Sequence, residues 1–298
     1  MLDITVIILT YNEELHIRRC IENVKQFAKT IYVIDSLSTD NTVSIAESMG
    51  AIVVPHKWPG NQAAQFNWAL ENIVIDTEWI LRLDADEYLL PELIEELKER
   101  VPVLNKDITG ITFKRRHIFL DKWMKRGTYP VMILRMFRKG KAVCEQRLMD
   151  EHIELLEGEN ITFEQDFVDH NLNDLSWWAQ KHVGYAIREA AELIDIEFNI
   201  TGNDSSSRNL SEKTLKKRKL KLEYAKKPLF WRSFAYFCYR YFFKLGFLEG
   251  KEGFLWTFMQ GWWYRTMVDA KVFEIKKACG NNKEKIVDYL KKNYNIVL

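Results

Sequence analysis

Short, unbroken apolar runs alternate with stretches of helical periodicity along the N-terminal part of the chain. Asp3–Leu9 reads as a buried strand ending in Thr10-Tyr11-Asn12-Glu13, after which Ile17, Cys20, Ile21, Val24 and Ala28 recur at the spacing of one helix face. Ile31–Ile34 predicts a second strand ending at Asp35, followed by the polar loop Ser36–Asn41 and a short helix bearing Val43, Ala46 and Met49. Ala51–Val54, stopped by Pro55, predicts a third strand; after the Pro59-Gly60 turn, Ala63, Asn67, Leu70 and Val74 mark another helix. Trp79–Leu83 is a fourth apolar run, opening into Asp84, Asp86 and Glu87 before Pro91 starts the next helix. Strands alternating with helices of this length predict βαβ units and an α/β fold with a mostly parallel sheet. Such sheets bind ligands at the carboxyl ends of their strands, so Thr10–Glu13, Asp35 and Asp84–Glu87 are expected to converge on one crevice.

Two of those acids carry candidate metal chemistry. Asp84 and Asp86, separated only by Ala85, can approach one hard cation. Mg²⁺ or Mn²⁺ takes oxygen ligands and is usually held by one or two carboxylates plus substrate phosphates. Taken alone, the triplet reads equally well as solvated acids ahead of a helix.

Further along, Ile108–Phe113 and Val131–Phe137 predict strands, the second interrupted by Arg135. Between them Arg115, Arg116, Lys122, Lys125 and Arg126 mix with Phe119, Trp123 and Tyr129, either a solvated face or a loop that meets phosphates. Gln146–Ile153 holds the adjacent acids Asp150 and Glu151, and His170 precedes a helix with its N-cap at Asn173 or Asp174. The aromatic residues of that helix read as core.

The polar stretch Thr201–Asn209 marks a boundary, giving an expected division into residues 1–205 and 206–298. A basic cluster follows, Lys213 to Lys227, and then Leu229–Phe247 with ten aromatic residues. On a helical wheel Arg232, Arg240 and Lys244 fall on one side, and a basic stripe beside an aromatic face predicts a helix lying in a membrane interface. Phe254–Tyr264 adds Trp256, Trp262 and Trp263, a type enriched at headgroup level. The competing reading is a helical subdomain that packs its aromatics on the catalytic core or on a second subunit.

Composition narrows the field. The chain has 298 residues, a net charge of +1 and 47% hydrophobic positions, so nothing global points to nucleic acid. Cys20, Cys144, Cys238 and Cys279 lie far apart without metal-ligand spacing and read as free thiols of a reducing compartment. The N-terminus has an acid and no basic lead, which fits a first core strand better than a signal peptide. No apolar stretch reaches membrane-spanning length, so the chain is expected to be cytosolic or to sit on a membrane surface, and the aromatic tail favours a cytoplasmic protein peripheral on the inner face of the cytoplasmic membrane.

TYNEE after the first strand, VIDSLSTDNT after the second and LDADEYL after the fourth resemble family 2 inverting glycosyltransferases, which have the GT-A fold. GNQAAQFNWAL, KRGTYPVMILRMF, MDEHI, the DHN…WAQKHVGYAIREA stretch and GFLEGKEGF…WWYRTMVDAKVFE extend the resemblance along the chain. They are similar to the WaaE-like glucosyltransferases of lipopolysaccharide-core and capsule assembly. The resemblance implies a Rossmann-like sheet with a C-terminal helical extension, Mg²⁺ or Mn²⁺ as cofactor, and a nucleotide-sugar donor such as UDP-glucose. The acceptor would be a hydroxyl of a lipid-linked or lipopolysaccharide glycan. Thr10, Tyr11, Asn12, Glu13, Asp35, Gln65, Asn67, Arg82 and Asp84 would bind the donor, and Asp86 and His170 the metal. Glu151, with Asp150 as runner-up, would be the base that deprotonates the acceptor hydroxyl. Of the alternatives, a sugar-1-phosphate nucleotidylyltransferase would need a Gly-rich basic loop where this chain has TYNEE. A non-catalytic membrane-surface scaffold that keeps the nucleotide-sugar fold stays open.

Overall fold

The computed structural model describes residues 1–146, 151–201, 219–220 and 223–297. The chain divides into two compact units, Met1–Leu172 and Asn173–Leu298. The expected boundary at residues 205/206 lies outside the described residues. The division found falls earlier, because the long helix that starts at Leu175 packs within the second unit.

The first unit is α/β. Its strands β1 (Leu2–Thr10), β2 (Ala28–Asp35), β3 (Ile52–Pro55) and β4 (Trp79–Asp84) lie parallel in the order β3-β2-β1-β4. The sheet continues through β8 (Val131–Arg138), β6 (Ile108–Phe119), β11 (Glu159–His170) and β5 (Glu87–Leu89), with β7 (Lys122–Trp123) beside β6. β8 is antiparallel to both its neighbours, and β11 is parallel to β6. A small hairpin, β9 (Ala142–Cys144) with β10 (Ile153–Leu155), stands apart from the sheet.

The apolar runs are unbroken because both sheet faces are covered. Along β1, Ile4, Val6 and Ile8 join one core with Ile17, Cys20, Ile21 and Val24 of helix α1 (Ile17–Val24) and with helix α4 (Pro91–Arg100). Ile7 and Leu9 join the other with Phe66 and Ala69 of helix α3 (Gln62–Asn72) and with Cys144 and Ile153 of the hairpin. Helix α2 (Thr42–Ser48) supplies Ala46 to the first core.

Three local expectations shift. Ala28 opens β2 instead of ending α1, whose last residue is Val24. Helix α3 ends at Asn72 and leaves Val74 exposed. Strand β6 runs on to Phe119, beyond the expected Phe113. Its charged end extends because β11 offers it partners: Arg116 bonds Asp166 at 2.5 Å, and Arg115 and His117 reach Asp169 at 3.3 and 3.2 Å. Two cations of the expected basic loop therefore face carboxylates.

The second unit is helical. Helix α5 (Leu175–Phe198) is capped by Asp174, which accepts the Trp177 N–H at 2.8 Å. It packs on α8 (Tyr264–Cys279), where Glu189 accepts from Tyr264 and Arg265, each at 2.5 Å. Between them come α6 (Trp231–Cys238), which continues in π-helical form through Tyr239–Phe243, a turn at Gly246–Glu249, and α7 (Gly250–Trp256). A second π-helical stretch, Thr257–Trp263, links α7 to α8, and α9 (Lys283–Tyr294) follows. Gly253 is needed in α7, where the helix passes the preceding turn, because a Cβ there would lie 2.2 Å from Glu249 Cβ. The expected basic stripe is not on the surface. Arg232 is buried in an ion pair with Asp269 (2.5 Å) and Arg240 is buried against the rings of Tyr236 and Trp256, which leaves Lys244 alone exposed. No described helix is long and apolar enough to cross a membrane.

Candidate active site

Strand register brings the polar tips level. Thr10 pairs with Asp35 across β1 and β2, and Leu9 pairs with Asp84 across β1 and β4. Asp35 is buried and fully engaged: it accepts from Thr10 Oγ1 (2.9 Å), Ser38 N (2.8 Å) and Ser38 Oγ (2.6 Å). The following loop is locked to the first. Asn12, at a φ of 54° that asparagine tolerates better than most residues, donates its N–H to Ser38 Oγ and accepts from Thr39 N, both at 2.8 Å. Glu13 N–H donates to Thr42 Oγ1 (2.7 Å), and its carboxylate holds His16 Nδ1 at 2.6 Å. His16 Nε2 accepts the Leu172 N–H at 2.8 Å, so the proton sits on Nδ1 and the TYNEE loop is pinned to the end of β11. Tyr11 projects from this frame with 59% of its surface exposed.

The acids after β4 form the electrostatic centre. Asp86 accepts from Asn171 Nδ2 at 2.9 Å, and the main chain on both sides is bridged: His170 N–H donates to Asp86 O (3.0 Å), and Arg19 donates to the carbonyls of Asp86 and His170. Burial, and then the charges of Asp169, Asp84 and Glu13, push Asp86 up to about 6. Asp169 goes the other way: burial opposes ionisation, but His117 and Arg115 hold it well below the usual carboxylate range. Behind them Arg135, the residue that interrupts β8, pairs with buried Glu87 and reaches Asp84 Oδ2 at 3.3 Å. Glu87 also accepts the Asp84 N–H at 3.0 Å, which fixes the turn that presents Asp84 and Asp86. The sequence displayed Arg135 as a break in an apolar strand; that it neutralises this turn becomes visible only once β8 lies beside β4.

The other expected residues fall into distinct positions. Arg82 is buried, bonded to Gln62 Oε1 (3.0 Å) and Cys144 Sγ (3.4 Å), with Asp84 Oδ1 at 3.7 Å. Gln65 spends its amide on His56 and Ser36, and Asn67 clasps the Cys144 backbone in both directions at 2.7 and 2.8 Å. Both amides are thus committed inside the protein: Gln65 braces the β3–α3 loop and Asn67 moors the hairpin. His170 Nδ1 accepts from Arg19 (3.3 Å) and Nε2 donates to the exposed Asp121 (3.1 Å). Burial holds His170 below its usual value, against the pull of Asp121. Glu151 stands on the hairpin between Cys144 and Ile153, close enough for its charge to raise the Cys144 thiol. That thiol is the one Arg82 contacts. Asp150 lies outside the described residues.

Among the described residues no three His, Cys, Asp or Glu side chains converge to hold a metal by themselves. The donor set still suits a divalent cation. Asp86 is crowded by three like charges, a repulsion that bound Mg²⁺ or Mn²⁺ relieves, and such ions complete their shell with substrate phosphates.

The family profile described as "Glycosyl transferase family 2" matches residues 5–164, more than half of the chain. The chain belongs to glycosyl transferase family 2. An uncharacterized glycosyltransferase of Rickettsia bellii is 42% identical over 104 residues, covering 35% of this chain and 34% of the relative. The lipopolysaccharide core biosynthesis glycosyltransferase LpsC of Rhizobium meliloti is 28% identical over 145 residues, covering 47% and 52%. The chain thus spans between about a third and half of the length of these curated relatives. Among solved structures, glucosyl-3-phosphoglycerate synthase from Mycobacterium tuberculosis, in complex with Mn²⁺, UDP and glucosyl-3-phosphoglycerate, is 22% identical with a TM-score of 0.32. That match covers 38% of this chain and 43% of the other. The α/β sheet with acids at its strand tips agrees with the family match and gives the first unit the GT-A fold, and a helical unit follows it in the chain.

Proposed function

We propose that this chain is a metal-dependent inverting hexosyltransferase. It moves a sugar from UDP-glucose or a similar nucleotide-diphosphate donor to a hydroxyl of a lipid-linked or lipopolysaccharide glycan at the cytoplasmic face of a membrane. The observation that carries this reading is Asp86, a carboxylate just past the tip of β4 that burial and the neighbouring acids Asp169 of β11, Asp84 and Glu13 push up. The likeness to LpsC supports the glycan class of the acceptor.

In this reading the nucleoside lies over Thr10–Glu13, with Tyr11 against the base and Asp35 setting the floor of its pocket. Asp86 holds the cation, Asp84 supports it or the ribose, and Arg82 keeps Asp84 in place. Bound Mg²⁺ or Mn²⁺ supplies a Lewis acid for the negative charge that develops on the departing diphosphate. Glu151 takes the proton from the acceptor hydroxyl as that oxygen attacks the anomeric carbon from the face opposite the leaving group. His170 joins the metal site only if Arg19 releases Nδ1, the ring nitrogen that keeps its lone pair while Nε2 donates to Asp121. Gln65 and Asn67 act on the donor through the loop and hairpin they brace.

Metal-dependent release of UDP from UDP-glucose tests the reading. Wild-type protein should release UDP with Mn²⁺ or Mg²⁺ and stop in excess chelator, and Asp86→Ala should be inactive while folded. Absence of release with every nucleotide sugar, metal present, favours a non-catalytic scaffold.

A further inference from the structure

The burial of Arg232 and Arg240 leaves the surface of the second unit with a different character from the one the helical wheel suggests. From Phe230 to Phe254 the residues turned outward are largely aromatic or aliphatic. Trp231 is 73% and Phe243 78% exposed, and Tyr239, Phe242, Phe247 and Leu248 lie open as well. Several of these rings touch one another in two groups. Tyr241 meets Phe242 at 5.2 Å, Phe247 at 6.2 Å and Phe254 at 5.8 Å between ring centroids, and Tyr239 stacks on Phe243. Globular proteins rarely leave so large an apolar patch in water without a partner for it.

The charges around the patch identify the partner. Lys226, Lys227, Lys244 and Lys251 are exposed along the same stretch, Lys226 already paired with the exposed Glu223 at 2.8 Å. Its carboxylates are withdrawn: Glu249 is buried and Glu252 half-buried. Trp, Tyr and Phe at the surface with a lysine rim match the headgroup layer of an anionic bilayer, where rings seat at the interface and ammonium groups meet phosphates. A second copy of the chain would bring the same four lysines against themselves.

We infer that the Trp231–Phe254 face docks on a bilayer containing anionic lipid, with Trp231, Phe242, Phe243 and Leu248 entering the interface and Lys244 and Lys251 meeting lipid phosphates. Apolar insertion supplies most of the affinity, and the buried arginines take no part. This deepens the membrane-surface element of the proposed function and rests on it; the sugar-transfer chemistry stands or falls separately, through UDP release in lipid-free buffer.

The test is sedimentation of the full-length chain with sucrose-loaded vesicles, either phosphatidylcholine alone or phosphatidylcholine with phosphatidylglycerol. Wild type should pellet with the anionic vesicles. Phe242→Ser/Phe243→Ser/Leu248→Ser, all at exposed positions, should lower partitioning at least tenfold while keeping the circular dichroism of wild type and its UDP release. Lys244→Gln/Lys251→Gln should weaken binding several-fold, on anionic vesicles alone. The inference is overturned if wild type stays in the supernatant, if it binds phosphatidylcholine as tightly as the mixture, or if the triple variant pellets unchanged. It is also overturned if size-exclusion chromatography finds a lipid-free dimer that the triple substitution dissolves, which would make a second copy the occupant.

Discussion

Replacing Asp86 by Asn should make the metal-free protein more stable while making it useless. In the folded chain the Asp86 carboxyl keeps its proton up to about pH 6, against a usual value of 3.8. Moving a carboxyl that far corresponds to about 3 kcal/mol at 1.36 kcal/mol per pH unit. The folded protein therefore binds more protons than the unfolded chain between about pH 4 and 6, so stability falls as pH rises through that window. By pH 7.5 the whole penalty is in force. Asn removes the charge, keeps the shape and can still accept from Asn171. It shares part of the burial cost, and solvent screens the partly exposed carboxylate, so a gain of about 1–3 kcal/mol is expected, or about 2–10 °C in Tm. The gain should shrink to about a third near pH 4.5, where the folded wild type is largely protonated but the unfolded chain is not, and vanish only below about pH 4. Mn²⁺ should reverse the ranking: at a thousandfold excess over Kd it stabilises wild type by about 4.1 kcal/mol and leaves the Asn variant unmoved. The same proton makes Mn²⁺ affinity full above about pH 6 and progressively weaker below it. Differential scanning calorimetry at pH 4.5 and 7.5, with and without Mn²⁺, reads all four cases. A variant less stable than wild type at pH 7.5 without metal, or equally stabilised by Mn²⁺, refutes the reasoning.

Three other substitutions probe the surroundings. Glu151→Gln should abolish transfer while leaving UDP-glucose binding by calorimetry near normal; if Asp150→Asn is the inactive variant instead, the base has been misassigned. Asn67→Ala strands both the N–H and the C=O of Cys144, which should cost about 1–3 kcal/mol in urea unfolding. It should also speed native-state alkylation of Cys144, whose thiol is pushed up to about 11, chiefly by burial; unchanged stability and reactivity would show that the clasp is dispensable. Arg232→Met leaves Asp269 buried and uncompensated, a loss of about 3–5 kcal/mol. Adding Asp269→Leu should restore most of it, and a double variant no better than the single one would mean the pair matters for packing and not for charge.

Much of the first unit was legible from one dimension. Unbroken apolar runs find β1 to β4 and period-3.6 spacing finds the helices between them, because burial on both sheet faces and on one helix face imposes those patterns locally. An apolar strand that ends in acid announces a crevice wherever parallel strands stop together. Thr10, Asp35, Asp84 and Asp86 could be singled out for that reason. Gln65 and Asn67 show the limit of the method. An amide beside a cleft looks the same in sequence whether it faces a ligand or, as here, His56 and the Cys144 backbone.

What the fold alone decided concerns pairings between distant segments. Arg135 faces Glu87 and Asp84 because β8 inserts antiparallel beside β4, and Asp169 charges the site because β11 runs parallel to β6. A helical wheel assigned Arg232 and Arg240 to a solvent face, since it knows the angle between residues but not which side a neighbouring helix covers. Asp269, thirty-seven positions beyond Arg232, drew that arginine inward and turned the aromatic rings out. Periodicity is a local property and is written in the chain; charge compensation is settled in space, by whichever partner the packing brings within reach.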